Sequence, residues 1–335
     1  MSLKLQETMR RYESALLMLS MIVLTLLLAP SLVGDDTVWE KTPNYIPLLS
    51  PGKLRTFLEK QYVPQAGLLR AATMVSPDNT TIYIANDNVL AARALAVLGS
   101  PLAEKVMSVL YNNFSGGWNG KIDVLLCKCI PDKFYKPEKE VVGRIDGYII
   151  AYEKMNTSVV ITDWYDYADL LVYHALDKLL QGSRSEAEKA FLNLTRMWDG
   201  YGFKDNIVKE HGVYQVYKCA LFIYLYRALE AAGSTIIYGY QDIYEKCLKI
   251  IAKAQDPVKG GIHTDYRVVN GKIVIQGDMN TETTSMVVLA LYSNYPEWIC
   301  FNAIRREDNM FFFPEIIIVA ITLVLLSIIL FPRKE

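Results

Sequence analysis

The sequence predicts a mainly α-helical domain of paired helices with short β-hairpins, flanked by an N-terminal and a C-terminal transmembrane helix. Three observations predict it: two long uncharged runs near the ends, helix-period apolar patterns between them, and a helix–hairpin unit that recurs at a spacing of 194 positions. The chain has 335 residues and a formal net charge of −1, with 52% hydrophobic and 21% charged residues. That balance argues against a basic nucleic-acid surface, so no nucleic-acid partner is expected. Five cysteines are too few to frame a disulfide miniprotein.

The end segments come first. Residues 15–33 carry no charge, and residues 310–331 carry only Glu315, near one edge. Each is long enough, at about 1.5 Å per residue, for a hydrocarbon core of roughly 30 Å. A cleaved signal peptide is the alternative for the first run, although its apolar core exceeds the usual length. Lys4, Arg10 and Arg11 precede that run, while Asp35, Asp36 and Glu40 follow it. The positive-inside rule then makes the tails 1–14 and 332–335 cytoplasmic and residues 34–309 an extracytoplasmic domain at the cell membrane. Membrane lipid is one expected partner. Asn79, Asn113, Asn156 and Asn193 head Asn-x-Ser/Thr acceptors, which suit an exported domain. Cys219 and Cys247 fall on consecutive helices and are a candidate disulfide. Cys127-x-Cys129 lacks metal-knuckle spacing and has no nearby His, so no metal site is expected.

The middle repeats. Sliding the chain by 194 positions places Gln61 on Gln255, Gly67 on Gly261, Asn86 on Asn280 and Leu95 on Leu289. Each copy reads as an amphipathic helix, Gln and Gly, two β-rich runs around a turn, then a helix of small apolar residues. The second turn is Asn270-Gly271, a strong hairpin signal; the first is Ser76-Pro77-Asp78-Asn79. Helix pairs at residues 163–198 and 213–254 lie between the copies. Asn86, Asp163 and Asn280 stand at helix starts, where a short polar side chain caps free amides. Glycine–aromatic corners such as Gly116-Gly117-Trp118 and Gly200-Tyr201-Gly202-Phe203 end helices in a left-handed turn. Runs such as VLAARALAVL are apolar all round, whereas YQDIYEKCLKIIAKA is one-faced, which suggests an inner ring of helices wrapped by an outer one.

Residues 255–291, with their glycine after a helix, hairpin and polar-capped helix, resemble part of an (α/α) toroid of the six-hairpin glycosidase type. They are also similar to toroids of polysaccharide lyases and sugar epimerases. Residues 67–96 and 164–180 carry the pattern more weakly, and about four helix pairs are visible where that family has six. The resemblance implies a mouth where the loops leading into inner helices gather, and handling of a glycan there.

The residues those loops present are carboxylates mixed with aromatics. Asp87, Asp163, Asp166 and Glu282 are the candidate acid–base groups, with Asp163 or Asp166 paired with Asp87 or Glu282. Trp164, Tyr165, Tyr167, Tyr214, His263 and Tyr266 are the candidate substrate contacts. Each has a plainer reading. Asp163 and Asp166 serve as first-turn caps, Asn86 and Asn280 likewise, Glu282 suits a helix dipole, and the aromatics pack. No phosphate loop, dinucleotide fingerprint or HExxH motif occurs, so no cofactor is expected. Three roles follow: a glycan- or envelope-partner-binding domain without catalysis, which the balance slightly favours; a glycoside hydrolase or lyase with paired carboxylates; or a structural subunit of a membrane complex.

Overall fold

The computed structural model describes residues 49–293. Helix α1 (Pro51–Gln61) starts at Ser50, whose hydroxyl accepts from the Lys53 amide, with proline in the first turn. Strands β1 (Tyr62–Val63) and β2 (Leu68–Leu69) pair antiparallel, and β3 (Thr81–Tyr83) follows. Then come α2 (Val89–Val97), α3 (Leu102–Phe114), the hairpin β4 (Tyr135–Ile145) and β5 (Tyr148–Val160), α4 (Ala168–Leu180) and α5 (Arg184–Arg196). The short α6 (Asn206–His211) and β6 (Tyr214–Gln215) lead to α7 (Val216–Ala231) and α8 (Gln241–Ala254). The second hairpin, β7 (His263–Val269) and β8 (Lys272–Met279), runs into α9 (Thr281–Tyr292).

Apolar content decides which helices lie inside. In α7 even Lys218 is buried along with Leu221, Phe222, Ile223 and Tyr224, and α9 is buried from Thr283 to Leu291. These two pack on each other, α2 packs on α9, and α4 packs on α7, giving an arc in the order α2–α9–α7–α4. Each inner helix has an outer partner with a single apolar face: α3 on α2, α1 on α9, α8 on α7 and α5 on α4. In α5 that face is Ala187, Ala190, Phe191 and Leu194, the spacing of one helical stripe. Close approach needs glycine at Gly261, where a Cβ would lie 2.5 Å from the Phe57 ring.

The expected mainly helical class with short hairpins and flanking membrane helices is not what the fold shows. Two three-stranded sheets, β3–β5–β4 and β6–β7–β8, are integral to it. Strands β4 and β5 are 11 and 13 residues long. They are joined by Asp146-Gly147, both with positive φ (46° and 83°), the backbone that a two-residue primed turn requires. Among the described residues the inner helices form an arc of four pairs, with the turn Ile122–Leu126 against α4 rather than a further pair. No described helix is long and apolar enough to cross a membrane. The runs 15–33 and 310–331 lie outside the described residues, as do both tails, so the fold gives no support to the flanking helices.

The first expected hairpin also differs. β3 pairs in parallel with β5, not with β2, and the Ser76–Asn79 turn is held locally, with the Ala72 amide donating to the Asp78 carbonyl. The second hairpin follows its Asn270-Gly271 signal, with φ of 50° and 71°.

Candidate active site

The chain leaves β3 through a tight turn, Ile84–Asn88, before α2 begins. That turn, the start of α9, the loop 71–78 and the β4–β5 hairpin enclose a pocket of about 180 Å³, open on one side. Asp87 comes from the turn and Glu282 from the first turn of α9. Lys139 and Glu153 come from facing positions of the hairpin, where the two residues are register partners. Tyr83, Asn86, Asp78 and Asn280 complete the polar lining.

Asp87 is 5% exposed, and among the described residues its Oδ2 has no hydrogen-bond partner. A carboxylate there would be desolvated and unpaired, so the protonated form is favoured. Burial is the main cause of a pKa raised well above the usual aspartate range; the nearby Glu282, Asp78 and Glu153 add to it and Lys139 opposes it. Burial also raises Glu282, to about 7; Lys121 and Lys139 pull it down while Glu153 and Asp169 push it up. Two neighbouring carboxyl groups therefore titrate far above their solution values and influence one another.

The surrounding groups hold this arrangement. Tyr83 donates its hydroxyl proton to Asp78 Oδ1 at 3.0 Å, and Lys139 Nζ lies 4.5 Å from the Tyr83 ring centroid. Lys139 also donates to the Tyr83 oxygen at 3.4 Å, and among the described residues it makes no ion pair. The Tyr217 hydroxyl donates to Asp169, a carboxylate near enough to act on Glu282, at 3.3 Å. Burial first, and then Asp169, raises the pKa of both Tyr173 and Tyr217, which keeps them as neutral donors.

Of the four candidate carboxylates, the pocket brings together Asp87 and Glu282. Asp163 and Asp166 sit at the turn Trp164–Asp166 before α4 and do not line it. Neither caps α4: its N-cap is Tyr167, and the Ala168 amide donates instead to the buried Asp205. Asp205 also caps α6 at Val208 and pairs with Lys218 inside the core.

The candidate aromatic contacts are elsewhere and mostly engaged. Trp164 packs on Phe134 and His174, Tyr165 is exposed, and Tyr167 packs on the core. Tyr214 stacks on Tyr266 with ring centroids 5.2 Å apart. Their hydroxyls donate to Asp199 and to the Tyr201 carbonyl. His263 Nδ1 bonds the Gly277 carbonyl at 2.9 Å.

Cys219 and Cys247 face each other from α7 and α8 as buried free thiols, Sγ to Sγ 2.8 Å. Of the glycosylation acceptors, Asn113 is exposed at the end of α3, and Asn79 donates to the Met74 carbonyl. Asn156 is held by Ser158, and Asn193 lies on α5 accepting from Arg196. Among the described residues no His, Cys, Asp or Glu group is placed to hold a metal ion.

Sequence reasoning missed Lys139, Glu153, Tyr83 and Asp78. The first two were within reach, because Asp146-Gly147 between KEVVGRI and YIIAYE is a hairpin signal that brings both strands to the pocket. No protein-family model matches the chain, and no curated protein matches it.

Proposed function

We propose that the pocket is an acid–base site that hydrolyses a glycosidic bond. The observation that supports this most is Asp87: a buried carboxyl group lining a cavity open to solvent, next to a second carboxyl group poised near neutrality. A proton donor needs a raised pKa, and a general base works best near the ambient pH. In this reading Asp87 gives its proton to the glycosidic oxygen as the bond to the anomeric carbon breaks. Glu282 takes a proton from the water that attacks that carbon, and solvent exchange restores both groups. Asn86 and Glu153 supply polar contacts of the kind a sugar's hydroxyls require. The two neighbouring carboxyl groups of the pocket support this reading over that of a silent binding domain.

The test is incubation of the full-length protein with a panel of aryl glycosides and polysaccharides, reading released reducing ends. Asp87→Asn and Glu282→Gln should each lower turnover by about 10²–10⁴-fold. Glycan binding without turnover in the wild type would favour the silent binding domain, and variants with full activity would remove these residues from the chemistry.

A further inference from the structure

Asn86 is the most unusual residue of the pocket lining. Its φ of 57° and ψ of −82° lie outside even the left-handed well that asparagine tolerates. Such a backbone resembles the strained form of the γ-turn and costs on the order of 1–3 kcal/mol. At the helix start the Asn86 carbonyl accepts the Val89 amide, but no side chain caps α2 among the described residues: its N-cap Asn88 is spent on Leu69 and Tyr83. The Asn86 side chain is nevertheless held firmly. Asn119 Nδ2 donates to Asn86 Oδ1 at 2.5 Å. Asn119 is clamped in turn, its Oδ1 accepting from the Lys121 and Ile122 amides and its own N–H donating to Asp123. With the oxygen fixed on Asn119, the Asn86 amide nitrogen is left on the pocket side. There, among the described residues, it meets only Glu153 Oε1, at 3.5 Å, the outer limit of a hydrogen bond.

We infer that Asn86 is a substrate-reading residue: its Nδ2 donates to an oxygen of a bound neutral glycoside, beside the group that Asp87 protonates. The inference rests on the glycosidase reading of the same pocket. It adds a specific recognition contact and assigns the local strain to the site rather than to the fold. A neutral hydroxyl or acetamido oxygen is the acceptor that fits, because a pocket already carrying Asp78, Asp87, Glu153 and Glu282 with one lysine disfavours a further anion.

The test pairs melting with binding in the full-length protein. Asn86→Gly and Asn86→Ala both lose the Asn119 contact, but only glycine accepts the backbone without strain. The glycine variant should therefore melt above the alanine variant and close to the wild type. Binding is read by saturation-transfer NMR with the methyl glycosides of glucose, galactose, mannose and N-acetylglucosamine. Both variants, and Asn86→Asp, which keeps the shape but replaces the donor, should bind the preferred glycoside about tenfold more weakly. Full binding by Asn86→Asp, or a glycine variant that melts no higher than the alanine one, overturns the inference. If the wild type binds none of the four, the glycan reading falls, and the melting order alone then decides whether the strain at Asn86 is real.

Discussion

Asn86 and Asn280 stand 194 residues apart at the starts of two inner helices, and the fold uses them in opposite ways. Asn280 has extended backbone, with φ of −127° and ψ of 163°, and its Oδ1 accepts from the Thr283 amide at 2.8 Å. It is an ordinary cap. Asn86 is strained, its side chain makes no capping bond among the described residues, and that side chain turns toward Asn119 and the pocket. The next residues diverge as well. Thr281 donates from its amide to the Ala71 carbonyl and from its hydroxyl to the Arg70 carbonyl, so it ties the second unit to the first. Asp87, its counterpart, has an oxygen with no partner. The two helix starts that the 194-residue spacing aligns thus serve different ends: the second mostly braces, and the first mostly presents chemistry. Asn280 and Glu282 are the residues of the second helix start that also line the pocket.

Asp278 shows the bracing most clearly. Its carboxylate receives the Thr73 hydroxyl and the amides of Thr73, Met74, Val75 and Met279. Burial works to raise its pKa, but these donors outweigh it and hold the group below its usual range. Asp278→Ala leaves several of those amides without a partner and should cost about 3 kcal/mol or more. Chemical denaturation would measure it. A loss below that of an average surface substitution would break the contrast between the bracing and presenting copies.

The two aspartates should also respond to pH in opposite directions. Asp87 has a raised pKa in the fold, so its contribution is fully present below the unfolded value of about 3.9 and is lost as pH rises through the folded value. Asp278 has a lowered pKa, so its contribution is present above about 3.9 and is lost as pH falls. Asp87→Asn mimics the protonated form. It should melt close to the wild type at pH 4 and above it at pH 8, while losing activity. Asp278→Asn should melt below the wild type at pH 8, and the gap should narrow in acid. Melting curves across that range decide it; parallel slopes for the two variants would show that burial, and not protonation, sets the stability at Asp87.

Much of the helical order was legible. The Asn270-Gly271 turn, the Asn280 cap and the one-faced outer helices carry their signals within a few residues, and the structure places them accordingly. Asp87 and Glu282 were legible as polar residues at helix starts, though not as a pair. The cap reading of Asn86 failed because an asparagine before a helix looks the same whether its backbone is extended or strained at positive φ. The pocket's other half was missed because residues 135–160 lie outside the helix pairs and the aligned segments, although Asp146-Gly147 is a turn signal of the same kind as Asn270-Gly271. The Asp205–Lys218 pair had no local signal at all: the aspartate caps two helices while the lysine reaches it from a third, a meeting that only the packed fold creates.

The smallest expected effect is the sharpest test of the repeat. If Asn280 is only a cap, then the carbonyl-type oxygen at that position matters and the rest of the amide does not. Asn280→Ala should cost about 1 kcal/mol, and Asn280→Asp should keep nearly all of the stability because a carboxylate accepts the Thr283 amide and suits the helix dipole. At Asn86 the same pair of substitutions should behave differently. Asn86→Asp loses the amide nitrogen on the pocket side and brings a negative charge beside Glu153 and Asp87, so it should not rescue what alanine loses. Denaturant midpoints for the four variants measure this directly. Rescue by aspartate at both positions would mean that the two asparagines are equivalent caps after all, and that the pocket rather than the strain must be explained anew.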